Sequence, residues 1–158
     1  MRKVLEAICV GVLATLVGVT WSAVHGANAL PQRIATHFDA SGKPNAWGSP
    51  GSLWLLPAIG CGLYLLITLV SLFPSAFNFP MRVPAAKRAR LEALTLQMLA
   101  WVKTELACLF LYIQWSILQS VRQANAALNP WFMPVFVVVV FATMIVHGVM
   151  VFRAARSS

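Results

Sequence analysis

Two groups of side chains in this sequence have the types needed for acid–base or metal chemistry, and the first lies in a polar stretch near the N-terminus. Residues 30–49 form the one long polar segment of an otherwise apolar chain, and they include His37 and Asp39. In an extended segment these side chains project to the same side, where they can hydrogen-bond each other, bind a cation or share a proton. One histidine and one aspartate make an incomplete metal site, so we expect no metal and regard both as weak candidates. The alternative is that they satisfy backbone groups of the loop.

The second group consists of ionisable residues within the apolar runs: Glu6, Lys103, Glu105 and His147. A charge at the centre of a spanning helix costs at least about 2.5–3.5 kcal/mol on insertion scales, so each needs a partner or a function. Lys103 and Glu105 are two residues apart, or about 200° around a helix, and face opposite ways. A cluster of all four is geometrically possible. It would serve as a proton or ion relay or a polar pocket, or its pairs would fix helix register.

A polar stripe continues from Glu105 toward the other end of the same helix. Its members recur at helical spacings and share one face: Cys108, Tyr112, Ser116 and Gln119. A transporter would show a hydrated path along this stripe.

The elements that must position these residues are membrane-spanning helices. The chain is 59% hydrophobic and 10% charged, with mean hydropathy +0.77, whereas soluble domains carry about 25% charged residues. Four apolar runs reach the roughly 20 residues that cross a bilayer: about 4–24, 53–73, 94–120 and 131–152. No repeat or linker separates them. The sequence therefore predicts a single domain over 1–158, an all-α integral membrane protein with four transmembrane helices and an extracytoplasmic cap at about 25–52.

Basic residues near the helix ends predict the orientation of the chain. Eight lie on the side of the termini: Arg2, Lys3, Arg82, Lys87, Arg88, Arg90, Arg153 and Arg156. Three lie on the other side: Arg33, Lys43 and Arg122. Since basic loops stay in the cytoplasm, both termini are expected there and the cap outside. Anionic lipid on the inner leaflet accounts for the rest of the net charge of +8, so no nucleic-acid partner is expected.

The cap has the pattern of a small folded module. Residues 34–39 alternate with a period of two, which is typical of an extended segment. Residues 41–44 read as a turn in which Gly42 takes positive φ. Trp47 then folds back onto the membrane or onto Phe38. The pattern predicts a compact cap with a short hairpin over the outer mouth of the helices.

Several of these residues resemble the SdpI-like bacterial membrane family: Leu30-Pro31, Thr36-His37-Phe38, Gly42, Pro44, Trp47-Gly48-Ser49 and Leu56-Pro57. In that family the module is a domain of unknown function, and the best-known member is an immunity protein against a secreted toxin that also takes part in signalling. The resemblance implies a multi-pass protein of the bacterial cytoplasmic (inner) membrane. The family usually has proline where Ala35 stands and lysine where Pro50 stands. Its immunity proteins also carry extra helices, so immunity is one possible role.

Motifs for most cofactors and enzyme classes are missing from the sequence. There is no Gly-x-Ser-x-Gly, His-Glu-x-x-His, phosphate loop or Cys-x-x-Cys. His25 lies at the outer end of the first helix and His147 near the inner end of the fourth, so they cannot share a heme. The cysteines lie inside apolar runs and are expected to be packing residues. We therefore expect no cofactor, and an enzyme is disfavoured.

The sequence favours a non-enzymatic binding protein of the immunity type. Its cap and helix cleft would recognise an extracellular peptide, a lipid or a partner subunit, and a membrane protein partner or a homo-oligomer is possible. The first alternative is a small proton- or ion-coupled transporter using Glu105, Lys103 and His147. The second is an intramembrane enzyme with His37 and Asp39 over a lipid substrate. The candidate site residues are His37, Phe38, Asp39, Gly42, Pro44 and Trp47 in the cap, and Lys103, Glu105, Tyr112 and His147 in the membrane.

Overall fold

Four long helices dominate the computed structural model, which describes residues 1–26, 30–79, 83–123 and 128–156. Within these residues the helices are α1 (Arg2–His25), α2 (Leu55–Ser71), α3 (Ala85–Arg122) and α4 (Phe132–Arg156). A 3₁₀ turn, Pro50–Trp54, leads directly into α2. With that turn included, all four are long and apolar enough to cross a membrane. The predicted all-α membrane fold is confirmed.

The third helix is longer than its apolar run. It begins at Ala85, directly after Pro84, rather than near residue 94. Residues 85–93 are mainly alanine, leucine, arginine, lysine and glutamate, which are strong helix formers but too polar to register as part of a span. The 38 residues of α3 extend about 57 Å at 1.5 Å per residue, against a hydrocarbon core of about 30 Å. The first turns of α3 therefore project beyond the membrane.

These projecting turns bind the neighbouring segments at the end of the bundle that carries both termini, here called the terminal end. Arg88 Nη2 donates to the carbonyl of Ser75 at 2.6 Å, which ties down the segment after α2. Lys87 Nζ donates to the carbonyl of Ala155 near the end of α4 at 3.2 Å. Arg82, which entered the charge count for this end, lies outside the described residues.

Helix α3 is the centre of the bundle, since α1, α2 and α4 all pack against it. One buried cluster joins α1 to α3 and consists of Cys9, Leu13, Leu16 and Ala107. Helix α4 is mostly exposed to the lipid, and its buried residues are His147 and Ala154. Because α4 packs chiefly on α3, a cleft remains beside it at the end of the bundle that carries the cap.

The cap contains the predicted hairpin. Strands β1 (Ile34–Phe38) and β2 (Pro44–Gly48) pair antiparallel, with register irregularities on both sides of His37. The turn between them is closed by hydrogen bonds from the Asp39 amide to the Lys43 carbonyl at 2.8 Å and from the Gly42 amide to the Asp39 carbonyl at 2.9 Å. Gly42 has φ of 79°, so the predicted positive φ is confirmed.

The hairpin is attached to the bundle on two sides. Ile34 and Leu53 are buried with Ile117 and Leu118 near the C-terminal end of α3. At the turn, the amide of Leu128 donates to the Gly42 carbonyl at 2.8 Å. The cap therefore includes the segment that precedes α4 as well as the predicted residues 25–52, and sequence analysis did not anticipate this second attachment.

Candidate functional site

A cavity of about 600 Å³ lies beneath the hairpin turn, and we call it the cap groove. Strand β1 and its turn form its roof, and the first turns of α4 form one wall. Single residues of α2 and α3 complete it. The apolar lining consists mainly of Phe38, Leu56, Ile113, Leu128, Met133 and Val137. The groove thus joins the cap to the helices at the level where a bilayer would begin.

The polar rim of the cap groove includes His37, Asp39 and Asn129. His37 Nδ1 hydrogen-bonds Asn45 Oδ1 across the hairpin at 2.5 Å. Because a carboxamide oxygen only accepts, Nδ1 carries the hydrogen, and in the neutral imidazole Nε2 then presents a lone pair. The side chain is exposed, so a ligand in the groove can donate to this nitrogen.

Asp39 shapes the turn instead of pairing with His37. Its Oδ1 accepts from the Ser41 amide at 2.8 Å, the Ser41 hydroxyl at 2.7 Å and the Lys43 amide at 3.0 Å. The hydrogen bond from the Ser41 hydroxyl, followed by that from the Lys43 amide, lowers the pKa of the Asp39 carboxyl below its ordinary range. Asp39 therefore satisfies backbone groups of the cap, which was the alternative considered from the sequence. Both side chains line the same groove.

The cap residues expected to act together divide between two cavities. His37, Phe38, Asp39 and Gly42 line the cap groove. Pro44 and Trp47 line a separate cavity of about 310 Å³, together with Arg33 and Ser120. Trp47 lies opposite Ala35 in the hairpin, whereas Phe38 lies opposite Pro44. Trp47 therefore does not fold onto Phe38, because the strand pairing separates them.

Tyr112 joins α3 to the segment that leads into α4. Its ring stacks on Phe132 with centroids 3.6 Å apart, and its hydroxyl accepts from the amide of Asn129 at 3.3 Å. One turn further, Ser116 Oγ donates to the Tyr112 carbonyl at 2.9 Å. These side chains of the expected polar stripe are thus used in contacts within and between helices.

Lys103 forms an ion pair between helices in the half of the bundle that is nearer the terminal end. Its ammonium lies 2.6 and 2.8 Å from the two carboxylate oxygens of Glu6 and 3.1 Å from Thr68 Oγ1. It also lies 4.7 Å from the centroid of the Tyr64 ring. The three ammonium hydrogens match three oxygen acceptors, and α1, α2 and α3 are joined at one point. This arrangement fits the expectation of a buried pair that fixes helix register.

Glu105 faces the other way, toward α4, as the angle of about 200° predicted. Thr143 Oγ1 donates to Glu105 Oε1 at 2.6 Å, and His147 Nδ1 hydrogen-bonds the Thr143 carbonyl at 2.9 Å. The single cluster considered from the sequence is therefore two clusters on opposite sides of α3. Sequence analysis missed Thr143, whose position one turn before His147 is the signal that was available.

Metal ligation would need a denser group of side chains than the described ranges contain. Among those residues, no group of three or more His, Cys, Asp or Glu side chains is placed to hold a metal ion.

Comparison with known protein families gives a match to the N-terminal part of the chain. Residues 12–61 match the model of a family described as Domain of unknown function (DUF1648). The matched segment runs from α1 through the hairpin to the first turns of α2, and so includes the roof of the cap groove. No curated protein and no solved structure matches the chain.

Proposed function

We propose that this multi-pass membrane protein is a non-enzymatic binding protein whose cap groove holds an amphipathic ligand. The observation that carries the proposal is the groove itself, which is about 600 Å³ in volume with mainly apolar walls and a polar rim. Binding sites for small molecules are typically about 300–1,000 Å³, mostly apolar, with a few placed polar groups.

The two parts of the groove suit the two parts of an amphipathic ligand. Met133 and Val137 lie on the first turns of a helix that is largely exposed to lipid, so an apolar chain can rest against them without leaving a hydrocarbon-like surrounding. His37 and Asp39 are placed on the roof, where a polar head would meet the imidazole Nε2 and the carboxylate. An apolar chain with a polar head is common to lipids and to amphipathic peptides.

The proposed orientation places the groove outside a bacterial cytoplasmic membrane. It rests on the asymmetry of basic residues and on the resemblance to the SdpI-like family. In this orientation the groove is open to ligands from outside the cell. An immunity-type role, in which the ligand is a secreted peptide toxin, is then one instance of the binding function.

Filling the groove with a larger side chain tests the proposal. Val137→Trp places an indole in the groove, while Val138→Trp is a matched control on the next residue, whose side chain is 66% exposed and does not line the groove. Both variants and the wild type are reconstituted in phosphatidylethanolamine–phosphatidylglycerol nanodiscs. Two photoactivatable probes are compared: a phospholipid with a diazirine in its acyl chain, and an amphipathic helical peptide with the same group.

We expect one probe to label groove residues such as Met133 in the wild type and in Val138→Trp, and to lose that labelling in Val137→Trp. The probe that succeeds identifies the ligand as lipid or peptide. Labelling that spreads evenly over α4, or that is equal in the two variants, contradicts the proposal.

Proton- or ion-coupled transport is a second candidate because Glu105 and His147 lie in the membrane at the α3–α4 contact. Lys103, the third residue of the transport hypothesis, is paired with Glu6 instead. Dye-detected proton flux into proteoliposomes, lost in Glu105→Gln and kept in Val138→Trp, would support transport. Equal flux in both variants would exclude a role of Glu105 in it.

A further inference from the structure

The contact between α3 and α4 contains two buried polar atoms that lack hydrogen-bond partners in the described part of the chain: Glu105 Oε2 and His147 Nε2. Each belongs to a side chain whose other polar atom is bonded, Oε1 to Thr143 Oγ1 at 2.6 Å and Nδ1 to the Thr143 carbonyl at 2.9 Å. Buried polar groups are nearly always satisfied, so these two atoms require an explanation.

The hydrogen-bond partners determine what the two atoms need. The Thr143 carbonyl can only accept, so the hydrogen of a neutral His147 is on Nδ1, and Nε2 is left as an acceptor. Thr143 Oγ1 donates to Oε1, so a carboxylate at Glu105 leaves Oε2 as an acceptor as well. Both unpartnered atoms therefore lack a hydrogen, and His147, which is 7% exposed, is largely shielded from bulk water.

The site lies near the middle of the membrane. Thr143 is about 16 Å from Phe132 and about 14 Å from Phe152 at 1.5 Å per residue along α4. A hydrocarbon core is about 30 Å thick, so the carboxyl of Glu105 is held near its midplane, where an uncompensated charge is most costly.

The described contacts of Glu105 include no lysine or arginine side chain. From α4, Thr143 hydrogen-bonds Glu105 and His147 hydrogen-bonds Thr143, and on α3 itself the nearest titratable group toward the cap is Cys108. Lys103 is engaged with Glu6 on the opposite side of α3. The negative charge of Glu105 therefore has no counter-charge within the described contacts, in contrast with that of Glu6.

We infer that Glu105, Thr143 and His147 form a proton-binding site inside the membrane. The proton is held on Glu105 Oε2, which removes the uncompensated charge. His147 Nε2 is the second position that can accept the proton. This inference does not depend on ligand binding in the cap groove, which lies at the other end of the α3–α4 cleft.

A small cavity lies on the side of the proposed site that is nearer the terminal end. It has a volume of about 300 Å³ and lies between α3, α4 and the segment after α2, with Asn78, Thr95, Met98 and Gly148 in its lining. Gly148 follows His147 directly, and Met98 is seven residues, about two turns, before Glu105 on α3. The cavity thus lies between the site and the aqueous side that carries the termini, without reaching Glu105 or His147.

Dicyclohexylcarbodiimide tests the inference because this apolar reagent reacts with protonated carboxyl groups in membranes. The wild-type protein in nanodiscs is treated over a series of pH values, and the labelled carboxyls are identified by peptide mass spectrometry. We expect Glu105 to take the label, with labelling that rises as the pH falls, while Glu6, whose carboxyl is paired with the Lys103 ammonium, takes less of it. Lys103→Met is the matched control, since it removes the counter-charge and should make Glu6 reactive.

Infrared spectroscopy provides a readout that does not require the reagent to enter. A carbonyl band of a protonated carboxylic acid should be present in the wild type, shift in D₂O and be lost in Glu105→Gln. Equal labelling of Glu6 and Glu105, or a carboxylate spectrum at Glu105 across the whole pH range, would overturn the inference.

Discussion

Replacing Gly42 with alanine tests how the cap is held over its groove. Gly42 has φ of 79°, a conformation that costs an L-residue about 1–2 kcal/mol. A Cβ at this position would lie 1.7 Å from the Leu128 carbonyl oxygen, so the two backbone segments must separate. Separation breaks the hydrogen bond from the Leu128 amide to the Gly42 carbonyl, which contributes about 1 kcal/mol. The combined loss is about 2–3 kcal/mol, and it falls on the contact between the turn and the segment before α4.

Hydrogen–deuterium exchange at the Leu128 amide measures this loss locally. Since about 1.4 kcal/mol is a factor of ten, we expect exchange at Leu128 to become about 30- to 150-fold faster in Gly42→Ala. Gly51→Ala is the matched control, because Gly51 also lies beside the cap but has no positive φ, and its Cβ would meet only Ser49 Oγ at 3.7 Å. Unchanged exchange at Leu128 in Gly42→Ala, or equal acceleration in both variants, would refute the proposed clamp.

Three further predictions concern the ion pair, the turn and the cap core. Glu6→Gln leaves the Lys103 ammonium without a counter-charge. Because the Lys103 side chain is 1% exposed, the variant should lose about 3–5 kcal/mol of unfolding free energy. Lys103→Met should cost less, because the Glu6 side chain is 31% exposed, and the double variant should recover stability in a thermal-unfolding cycle; additive losses would argue against the pair. The lowered pKa of Asp39 means that its contribution to the turn is complete above the ordinary pKa of about 3.9 and is lost as the pH falls through the lower folded value. Amide exchange in the hairpin should therefore accelerate only in strong acid, and Asp39→Asn should abolish that dependence; a midpoint at ordinary or higher pH would contradict it. Leu53→Ala should lower the unfolding free energy by about 2–5 kcal/mol, since Leu53 is 1% exposed, whereas Leu55→Ala at a 60% exposed position should have little effect; similar Tm values for both would show that the cap core is misassigned.

Hydropathy was sufficient to predict the four spanning helices, because a bilayer demands long apolar runs whatever the tertiary contacts are. Hydropathy did not locate the start of α3. The residues from Ala85 favour a helix but are too polar to be recognised as part of a membrane span. The helical repeat also predicted that Lys103 and Glu105 face opposite ways. Which helix each one meets depends on how α1 and α4 are arranged around α3, and no local pattern encodes that arrangement.

The cap shows the same division between local and long-range information. Turn chemistry predicted the hairpin and the positive φ of Gly42. It did not predict that Leu128, far along the chain, would occupy the space beside that glycine. The groove that results is formed by segments from both halves of the sequence. Its volume and lining were therefore available only from the structure. The separation of Trp47 from Phe38 follows from strand register, which the irregularities beside His37 shift.

Binding of an amphipathic ligand in the cap groove is tested most directly by experimental density for the protein purified into nanodiscs without added ligand. We predict elongated density along Met133 and Val137 that ends in a polar feature near His37. A groove closed by its own side chains, with Phe38 packed directly against α4 and no density between them, would contradict the proposed function.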